Sequence, residues 1–533
     1  MDIIIRNGIV IDGSGAPGRP ADVAISRGRV AAVQPALIVG DADAQRAVVL
    51  DATGLVVTPG FVDMHSHADR TLPVLPTADS LVHQGITTVV IGQCGSSPTP
   101  LSERTRDTVL AAQRSDDLPL PWNRWTTFAS YLDTLRDTGM AINAVPLVGQ
   151  STVRQAVVAF SAAEPSAEEI AEMQDWVAQS LDEGAIGIST GLIYPPGSYA
   201  STEELIAVTR PAGERDGYYF THIRGEADTL LEAVTEAIRI GRETGAQVQI
   251  AHFKAAGRQN WDKAEQALAM IDAAKAEGVA VNADMYPYLA GSSGLKSMLP
   301  EWAQEGGKDA TLKRLADADT RLRMSHDMER IGFFRGAEWD KVLIAMSPRN
   351  RSYEGCTVAE LAEEADKSAH EWVFDALQET ELQMSMISEY AIEENLIRQL
   401  QVPWMMIGTD AGGAAIHGPL SAGKPHPRNY GTFPRILGRY VRELGTLSLE
   451  EAVVKMTGLP AQTLRWSDRG LLRAGQWADV VVFDPQTIAD KATYRDPHQL
   501  AVGIHHVLVN GQIVIRDGEH TGTLSGQVLA RKA

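Results

Sequence analysis

The sequence predicts a mixed α/β fold built around a closed (β/α)8 barrel, on three observations. Short β-branched runs alternate with helical stretches through the middle of the 533-residue chain. The two chain ends have a different sequence pattern, in which short strands are separated by tight turns. One connection between the alternating strands is much longer than the others. Together these features favour a barrel, a small β-domain made from both ends and an inserted segment.

Eight segments of the middle region have the length and composition of buried parallel strands. They are 55–67, 86–95, 142–149, 185–192, 217–225, 247–254, 279–288 and 404–412. Between most of them, apolar residues recur three or four positions apart, most clearly in the predicted helices 166–181 and 226–242. Eight strand–helix repeats close a TIM-like barrel, so we assign residues 56–467 to it.

Both chain ends have the pattern of β-hairpins, with Asn-Gly pairs at two of the turns. The strand segments are 2–12, 22–33, 478–484 and 506–517. Neither end holds enough strands for a stable sandwich, so we expect residues 1–55 and 468–533 to form one small β-sandwich domain.

The segment 290–403 interrupts the alternation of barrel strands and helices and is too long for a bare loop. We expect an inserted lid or subdomain there, over about 290–345 or as far as residue 403.

Composition excludes several classes of function. The 48 Lys and Arg residues against 68 Asp and Glu give a net charge of −20, which argues against nucleic acid as a partner. Two cysteines, Cys94 and Cys356, cannot build a disulfide framework. The first residues lack a signal-peptide pattern, and no run approaches the roughly 18 apolar residues of a membrane span. We therefore expect a soluble cytoplasmic protein without a membrane partner; its oligomeric state stays open.

The segment Phe61-Val-Asp-Met-His-Ser-His67 is the strongest chemical signal. Residues i and i+2 of a strand share a face, so His65 and His67 can point together into the barrel mouth. Paired imidazoles suit a divalent metal of the zinc class. Two solvated loop histidines are the ordinary alternative, and the position at the end of a first barrel strand disfavours it.

Four further candidates stand at the ends of other predicted strands: Cys94, His222, His252 and Asp410. Barrel active sites form at the carboxyl ends of the strands, from several strands at once. A lone cysteine is usually a small buried side chain and a lone histidine is usually structural. The joint placement of candidates at five strand ends makes coincidence improbable.

These segments resemble the amidohydrolase superfamily and, within it, the D-aminoacylase (N-acyl-D-amino-acid deacylase) family. The resemblance covers almost the whole chain. It rests on PGFVDMHSHADR, HQGITTVVIGQCGSSPTP, THIRGE, AHFK, DMYPYLAGSS and HPRNYGTFPRILGRY. Many superfamily members bridge two metals with a carboxylated lysine on strand four. Strand four here, AIGISTGLIY, has no lysine, which agrees with a thiolate in the bridging position.

The resemblance implies a role for each candidate. It implies one tightly held Zn2+ and a second, weaker metal. The ligands would be Cys94, His222 and His252 at the tight site, and His65, His67 and Asp410 at the weaker site, with Cys94 able to bridge. Asp410 would also be the general acid/base. The substrate contacts would be Lys254, Tyr286, Ser292 and Arg428, with Tyr194 lining the pocket. Paired cations and packed tyrosines are the ordinary alternatives for these last residues.

The resulting hypothesis is a zinc-dependent hydrolase that splits the amide of a small-molecule N-acyl-D-amino acid into a D-amino acid and a carboxylate. An amidohydrolase acting on a cyclic amide, a lactam or another N-acyl compound is the alternative. A non-catalytic scaffold of the same fold is the remote alternative, since such scaffolds lose metal ligands. Chirality, the accepted side chain and acyl group, and the number of metals in the active form stay open.

Overall fold

The computed structural model describes residues 1–37, 46–113, 118–330 and 338–531. Its strands are β1 (Ile3–Val10), β2 (Arg19–Ser26), β3 (Arg29–Gln34), β4 (Val48–Asp51), β5 (Val56–Pro59), β6 (Phe61–Asp63), β7 (Ile86–Ile91), β8 (Asn143–Pro146), β9 (Val148–Gly149), β10 (Gly187–Gly191), β11 (Tyr218–His222), β12 (Gln247–Ile250), β13 (Val281–Met285), β14 (Ala290–Gly294), β15 (Val342–Met346), β16 (Ser385–Glu389), β17 (Met405–Ile407), β18 (Val480–Phe483), β19 (Ile504–Val509), β20 (Gln512–Arg516) and β21 (Glu519–His520).

The helices alternate with these strands through the middle of the chain. They are α1 (Asp79–Val82), α2 (Arg106–Gln113), α3 (Phe128–Thr138), α4 (Gln150–Val158), α5 (Ala167–Asp182), α6 (Thr202–Gly213), α7 (Leu230–Thr244), α8 (Lys263–Ala276), α9 (Lys308–Leu315), α10 (Ala318–Arg330), α11 (Val358–Glu364), α12 (Ala369–Glu379), α13 (Glu393–Gln401), α14 (Arg428–Arg435), which continues as a π-helix (Ile436–Glu443), α15 (Leu449–Met456) and α16 (Gly458–Thr463). Among the described residues, none of them has both the length and the apolarity to cross a bilayer.

The middle of the chain closes into a parallel barrel. Strands β6, β7 and β8 pair in parallel, and β9 to β13 continue in parallel to β17. One residue, Leu147, separates β8 from β9, and its amide donates to the Ile91 carbonyl of β7 at 2.9 Å. The ring closes where the Met64 amide, after β6, donates to the Ile407 carbonyl of β17 at 3.2 Å. The predicted (β/α)8 barrel is confirmed.

The barrel strands are buried on both faces, as their near-continuous apolar runs require. Strand β7, ITTVVI, is buried at every position. One set of side chains fills the barrel interior and includes Val62, Met64, Val90, Phe220 and Met406. The alternate set packs against the surrounding helices in the largest core of the described chain. This packing holds the carboxyl ends of the strands in fixed positions, where side chains can form a site.

The predicted first barrel strand, 55–67, is two strands in the structure. Strand β5 pairs antiparallel with β18 and parallel with β1, and only β6 joins the barrel. Gly60 lies between the two strands. Only glycine fits at this position, because a Cβ there would lie 2.1 Å from Thr87 Oγ1. The Gly60 amide donates to the Asp479 carbonyl at 2.8 Å.

One predicted helix boundary also differs in the structure. Helix α7 begins at Leu230 instead of residue 226, which leaves 226–229 as a loop at the rim.

Strands from both chain ends form one hydrogen-bonded sheet in the part of the chain that the structure describes. Its order is β21-β20-β19-β18-β5-β1-β2-β3, with β4 paired to β1. The contact of β5 with β18 joins the two ends, so this sheet takes in residues up to Pro59, beyond the predicted boundary at residue 55. Its buried core includes Ile5, Val23 and Val480. The domain limits themselves stay predictions.

The segment between β13 and β17 has a sheet and a core of its own. Strands β14, β16 and β15 form an antiparallel sheet, and α9 to α12 pack around a core that includes Leu295, Met324, Phe374 and Met386. Helix α13 follows this sheet and packs against α8 and β17 of the barrel. The described elements of the insertion therefore run from Ala290 to Glu389. Its extent as a domain stays a prediction.

Replacing Gly92 by alanine is expected to destabilise the rim strongly. Gly92 follows β7 at φ +79°, and a Cβ there would lie 2.1 Å from the Leu147 carbonyl oxygen. Left-handed backbone costs a side-chain-bearing residue about 1–2 kcal/mol, and the clash adds to it. Gly54 is the matched control, since it has φ +79° with open space around it. Thermal unfolding should show a clearly lower midpoint for Gly92→Ala than for Gly54→Ala; equal midpoints would contradict the close approach.

Candidate metal centre and active site

The structure brings the six predicted ligands together at the carboxyl ends of the barrel strands. They are His65 and His67 after β6, Cys94 after β7, His222 at the end of β11, His252 after β12 and Asp410 after β17. Nitrogen, sulfur and oxygen atoms of four of them lie within 4.8 Å of one another, and a second group within the same limit adds Glu226.

The backbone is strained at three of these positions. Cys94, His252 and Asp410 have φ of 51°, 33° and 50°. Each such residue costs of order 1–3 kcal/mol and persists only where surrounding contacts hold it. The His252 amide donates to Asp284 Oδ1, and the Asp410 amide donates to the His65 carbonyl, each at 2.8 Å. Strained backbone of this kind clusters at functional sites because it aims side chains at a common point.

The Cys94 thiol lies at the centre of three imidazoles. Its Sγ is 3.4 Å from His65 Nε2, 3.7 Å from His222 Nδ1 and 3.6 Å from His252 Nε2. Burial raises the pKa of the Cys94 thiol well above its usual value, and the charge of Asp410 raises it further. A thiolate at this point therefore needs a cation beside it.

The spacing of these donor atoms fits one tetrahedral zinc ion. With zinc–sulfur and zinc–nitrogen distances of about 2.3 Å and about 2.05 Å, the sulfur and each nitrogen ligand lie about 3.6 Å apart. The Cys94–His222 and Cys94–His252 distances are 3.7 and 3.6 Å. Thiolate and imidazole donors favour zinc, whereas calcium and magnesium prefer oxygen ligands. The residues present thus fit the metal that the motifs predict.

Asp410 connects the remaining candidate ligands to a cation. Its Oδ1 lies 3.1 Å from His67 Nε2 and 3.5 Å from His65 Nε2, while its Oδ2 lies 2.7 Å from Arg428 Nη1. Burial raises the pKa of this carboxyl, but the Arg428 charge and the neighbouring histidines lower it more, so the net pKa is well below the usual value. The group is a carboxylate at neutral pH.

Glu226 orients two of the imidazoles from outside. Its Oε1 is 3.0 Å from His252 Nδ1 and its Oε2 is 3.7 Å from His222 Nε2. Burial raises the pKa of Glu226, but the Lys254 charge and the two imidazoles hold it below the usual value. The Lys254 ammonium donates to Glu226 Oε1 at 2.6 Å. Carboxylates that face the outer nitrogen of a ligand histidine fix its tautomer and ring direction.

Asp284 and Asp63 were not among the predicted site residues. Asp284 Oδ1 is 3.7 Å from His65 Nδ1, and burial raises its pKa to about 6. Asp63 accepts hydrogen bonds from the His65 amide at 3.0 Å and from the Thr409 amide at 2.8 Å, which ties the end of β6 to the end of β17. The signal that could have found both is a carboxylate near the carboxyl end of a buried barrel strand: Phe61-Val-Asp63 and Val281-Asn-Ala-Asp284-Met.

The predicted substrate-contacting residues lie around the same centre, and two are already paired. The Arg428 guanidinium faces Asp410, donates to the Ser292 carbonyl at 3.2 Å and stacks 4.8 Å over the Tyr286 ring. Lys254 is buried against Glu226, as described above. The Tyr286 hydroxyl hydrogen-bonds to the hydroxyl of Tyr390, a residue that sequence reasoning missed.

The remaining candidates are placed as follows. The Tyr194 ring lies 5.2 Å from the His222 ring, at the edge of the centre. Arg224, two residues after His222, pairs with Glu236 at 3.0 Å. Cys356 lies in the insertion, packed beside its core, and its Sγ is 3.8 Å from the Ser352 carbonyl. The second cysteine therefore takes no part in the centre.

Comparison with known proteins agrees with this geometry. A family model described as "Amidohydrolase family" matches residues 48–515. The D-aminoacylase of Alcaligenes xylosoxydans xylosoxydans is 39% identical, with 100% of this chain and 98% of the relative covered. A solved D-aminoacylase, studied for the role of its binuclear metal centre, is 38% identical with a TM-score of 0.81, and 99% and 100% of the two chains are covered.

A second solved structure shows the same fold with zinc. The N-acyl-D-glutamate deacylase of Bordetella bronchiseptica, complexed with zinc and a phosphonate mimic of the tetrahedral intermediate, is 34% identical with a TM-score of 0.81, and 100% of both chains are covered. The family resemblance of the motifs is confirmed. The chain belongs to the D-aminoacylase (N-acyl-D-amino-acid deacylase) family of the amidohydrolase superfamily and is a metal-dependent amidohydrolase.

Proposed function

We propose that this enzyme hydrolyses the amide bond of N-acyl-D-amino acids and that its resident metal is zinc. The observation that carries the proposal is the convergence of the Cys94 thiol with three imidazoles, beside a carboxylate–guanidinium pair. Relatives of 39% and 34% identity carry the names D-aminoacylase and N-acyl-D-glutamate deacylase, and the second is solved with zinc. Cys94, His222 and His252 would hold the tight zinc, and His65, His67 and Asp410 a weaker second metal.

The proposed chemistry divides between the metal and the side chains around it. A bound zinc lowers the pKa of a water from about 15.7 towards 7 and polarises a carbonyl oxygen. Asp410 takes the proton of the attacking water and delivers it to the leaving nitrogen. The water oxygen ends on the acyl carbon, and the C–N bond breaks. The pKa of Asp410, which Arg428 and the neighbouring histidines hold well below its usual value, keeps the group ionised, as a proton acceptor must be.

Recognition of the free carboxylate requires a cation next to the scissile amide. Arg428 is buried, lies 2.7 Å from Asp410 and presents a planar guanidinium, which suits bidentate binding of a carboxylate. Lys254 and Tyr286 extend this polar side of the site, since the Lys254 ammonium lies 5.6 Å over the Tyr286 ring. Ser292 and Tyr194 complete the proposed substrate contacts.

Matched N-acetyl-D- and N-acetyl-L-amino acids test the proposal. We expect release of the D-amino acid only, by protein that carries about one tightly bound zinc per chain. The measurement is amino-acid release with chiral detection, together with elemental analysis of the same preparation. Cleavage of the L-series at an equal rate would overturn the stereochemical part. Bound zinc with no cleavage of either series would overturn the substrate assignment and direct the search to cyclic amides and lactams.

A further inference from the structure

The residue proposed to bind the substrate carboxylate, Arg428, is the first residue of helix α14. Two cavities open from the metal centre, of about 610 Å³ and about 450 Å³, and Arg428 is among the lining residues of both. A guanidinium recognises a carboxylate through a planar fork, so its direction matters as much as its charge. Whatever fixes the first turn of α14 therefore also fixes the position from which this side chain extends.

His426, two residues before Arg428, forms a hydrogen bond through each ring nitrogen. The Arg428 amide donates to His426 Nδ1 at 2.9 Å, and His426 Nε2 lies 3.0 Å from the Ala290 carbonyl oxygen. An amide can only donate, so Nδ1 is the unprotonated nitrogen and Nε2 donates its proton to Ala290. Burial lowers the pKa of His426 well below its usual value, and the Arg428 charge lowers it further. The side chain is therefore a neutral imidazole of one tautomer at neutral pH.

These two bonds join helix α14 to strand β14 of the insertion. The first four amides of a helix have no acceptor within the helix, and His426 supplies one for Arg428. Ala290 begins β14, and the carbonyl of Ser292, two residues later, accepts from Arg428 Nη2 at 3.2 Å. The backbone amide and the guanidinium of Arg428 are thus both tied to the same strand. Held in this way, Arg428 Nη1 lies 2.7 Å from Asp410 Oδ2.

Three tyrosine rings pack around His426, which is 1% exposed. The centroid of the imidazole lies 5.2 Å from that of Tyr288, 5.3 Å from that of Tyr494 and 6.1 Å from that of Tyr286. Tyr286 and Tyr288 follow barrel strand β13, and Tyr494 comes from the segment between β18 and β19. Packing and hydrogen bonds together fix the direction of such a ring, as is required of a group that supports a binding residue.

We propose that His426 is a positioning residue for substrate recognition, which acts through Arg428. Its neutral imidazole fixes the first turn of α14, so that the guanidinium is presented to the substrate carboxylate. His426 is not among the described residues that line the two cavities, so its effect on the substrate is indirect. The inference rests on the proposed function, because it needs Arg428 to bind that carboxylate.

Replacing His426 by phenylalanine tests this role, because phenylalanine keeps an aromatic ring and removes both hydrogen bonds. We expect KM for an N-acetyl-D-amino acid to rise about tenfold or more, since a displacement of about 1 Å in a positioning group costs up to about 100-fold. We expect kcat to change less, because Asp410 keeps its contact with His67 at 3.1 Å. The measurement is steady-state kinetics, with zinc content determined on the same preparation and expected to be unchanged. An unchanged KM would overturn the inference.

Two polar variants separate the two hydrogen bonds and carry the test if His426→Phe does not fold. In His426→Asn the side-chain oxygen accepts from the amide two residues on, as asparagine does in an Asx turn, which restores the bond to Arg428. In His426→Gln the longer side chain reaches the Ala290 carbonyl instead. We expect a KM close to that of the unaltered enzyme for His426→Asn and a raised KM for His426→Gln. The opposite order would contradict a role through the Arg428 amide.

His506→Phe is the matched control. His506 is also buried, and its Nδ1 accepts from the Asp517 amide at 3.2 Å, but it lies on β19 of the sheet formed by the chain ends. It should leave KM unchanged; an equal rise in both phenylalanine variants would show general damage and overturn the inference. If N-acetyl-D-amino acids are not cleaved at all, the proposed function fails and this inference falls with it. If they are cleaved and the His426 variants keep a normal KM, the inference alone fails.

Discussion

Replacing Cys94 by alanine is expected to remove the bound zinc and the hydrolytic activity together. The Cys94 sulfur is the atom on which three imidazoles converge, at 3.4, 3.7 and 3.6 Å. Without it, the tight site would retain two nitrogen donors, and the link to the second set of ligands would be lost. Even substitution of a residue that only hydrogen-bonds to a metal ligand lowers metal affinity by about 10–100-fold. We therefore expect a loss of at least about 100-fold in zinc affinity for the ligand itself.

The measurement is zinc content after dialysis against a competing chelator, with kcat/KM for an N-acetyl-D-amino acid on the same sample. Cys356→Ala is the matched control, because it removes the other cysteine of the chain from the insertion without touching the centre. It should retain full zinc content and activity. A Cys94→Ala protein that holds one zinc per chain under the same dialysis would show that the thiol is not a ligand of the tight site.

Asp410→Asn is expected to retain the tight zinc and to lose turnover. Asparagine tolerates the left-handed backbone found at this position, φ 50°, so we expect the backbone at the barrel rim to keep its conformation. The substitution removes the group that accepts the proton from water, and positioned acid–base groups contribute about 10²–10⁴-fold to rate. We expect kcat to fall by about that factor, with zinc content close to one per chain.

Kinetics and elemental analysis on one preparation distinguish this outcome from general damage. Asp216→Asn is a suitable control, since Asp216 also has a left-handed backbone, φ 53°, and lies before β11, at the opposite end of the barrel. It should have normal kcat. Near-normal turnover in Asp410→Asn would mean that another group moves the proton. Complete loss of zinc in Asp410→Asn would place Asp410 among the ligands of the tight site.

The barrel was predictable because its strands are buried on both faces. A short run rich in β-branched residues such as Ile86–Ile91 is typical of a covered parallel sheet, and eight such runs alternate with helical periodicity. Pro59-Gly60 is a local signal for a break, but nothing local shows that Val56–Pro59 and Phe61–Asp63 belong to different sheets. The contact of the first segment with Val480–Phe483, more than 400 residues away, assigns it to the other sheet.

The candidate ligands were predictable for a related reason. Their positions at strand ends follow from local pattern, and the barrel brings all strand ends to one rim. The sequence alone therefore determined the fold class, the identity of the candidate ligands and the presence of an insertion before the last strand. Each of these depends on periodicity, composition or spacing, which are properties of short segments.

Only the tertiary structure decided how these groups face one another. It showed that Lys254 is already paired with Glu226, that Arg428 faces Asp410, and that Tyr390, directly after the last strand of the insertion, reaches Tyr286 of the barrel. It also revealed two cavities that open from a single centre. These features depend on distances of a few ångströms between side chains that are far apart along the chain. No local pattern encodes such distances, because the packing of the whole barrel and its insertion sets them.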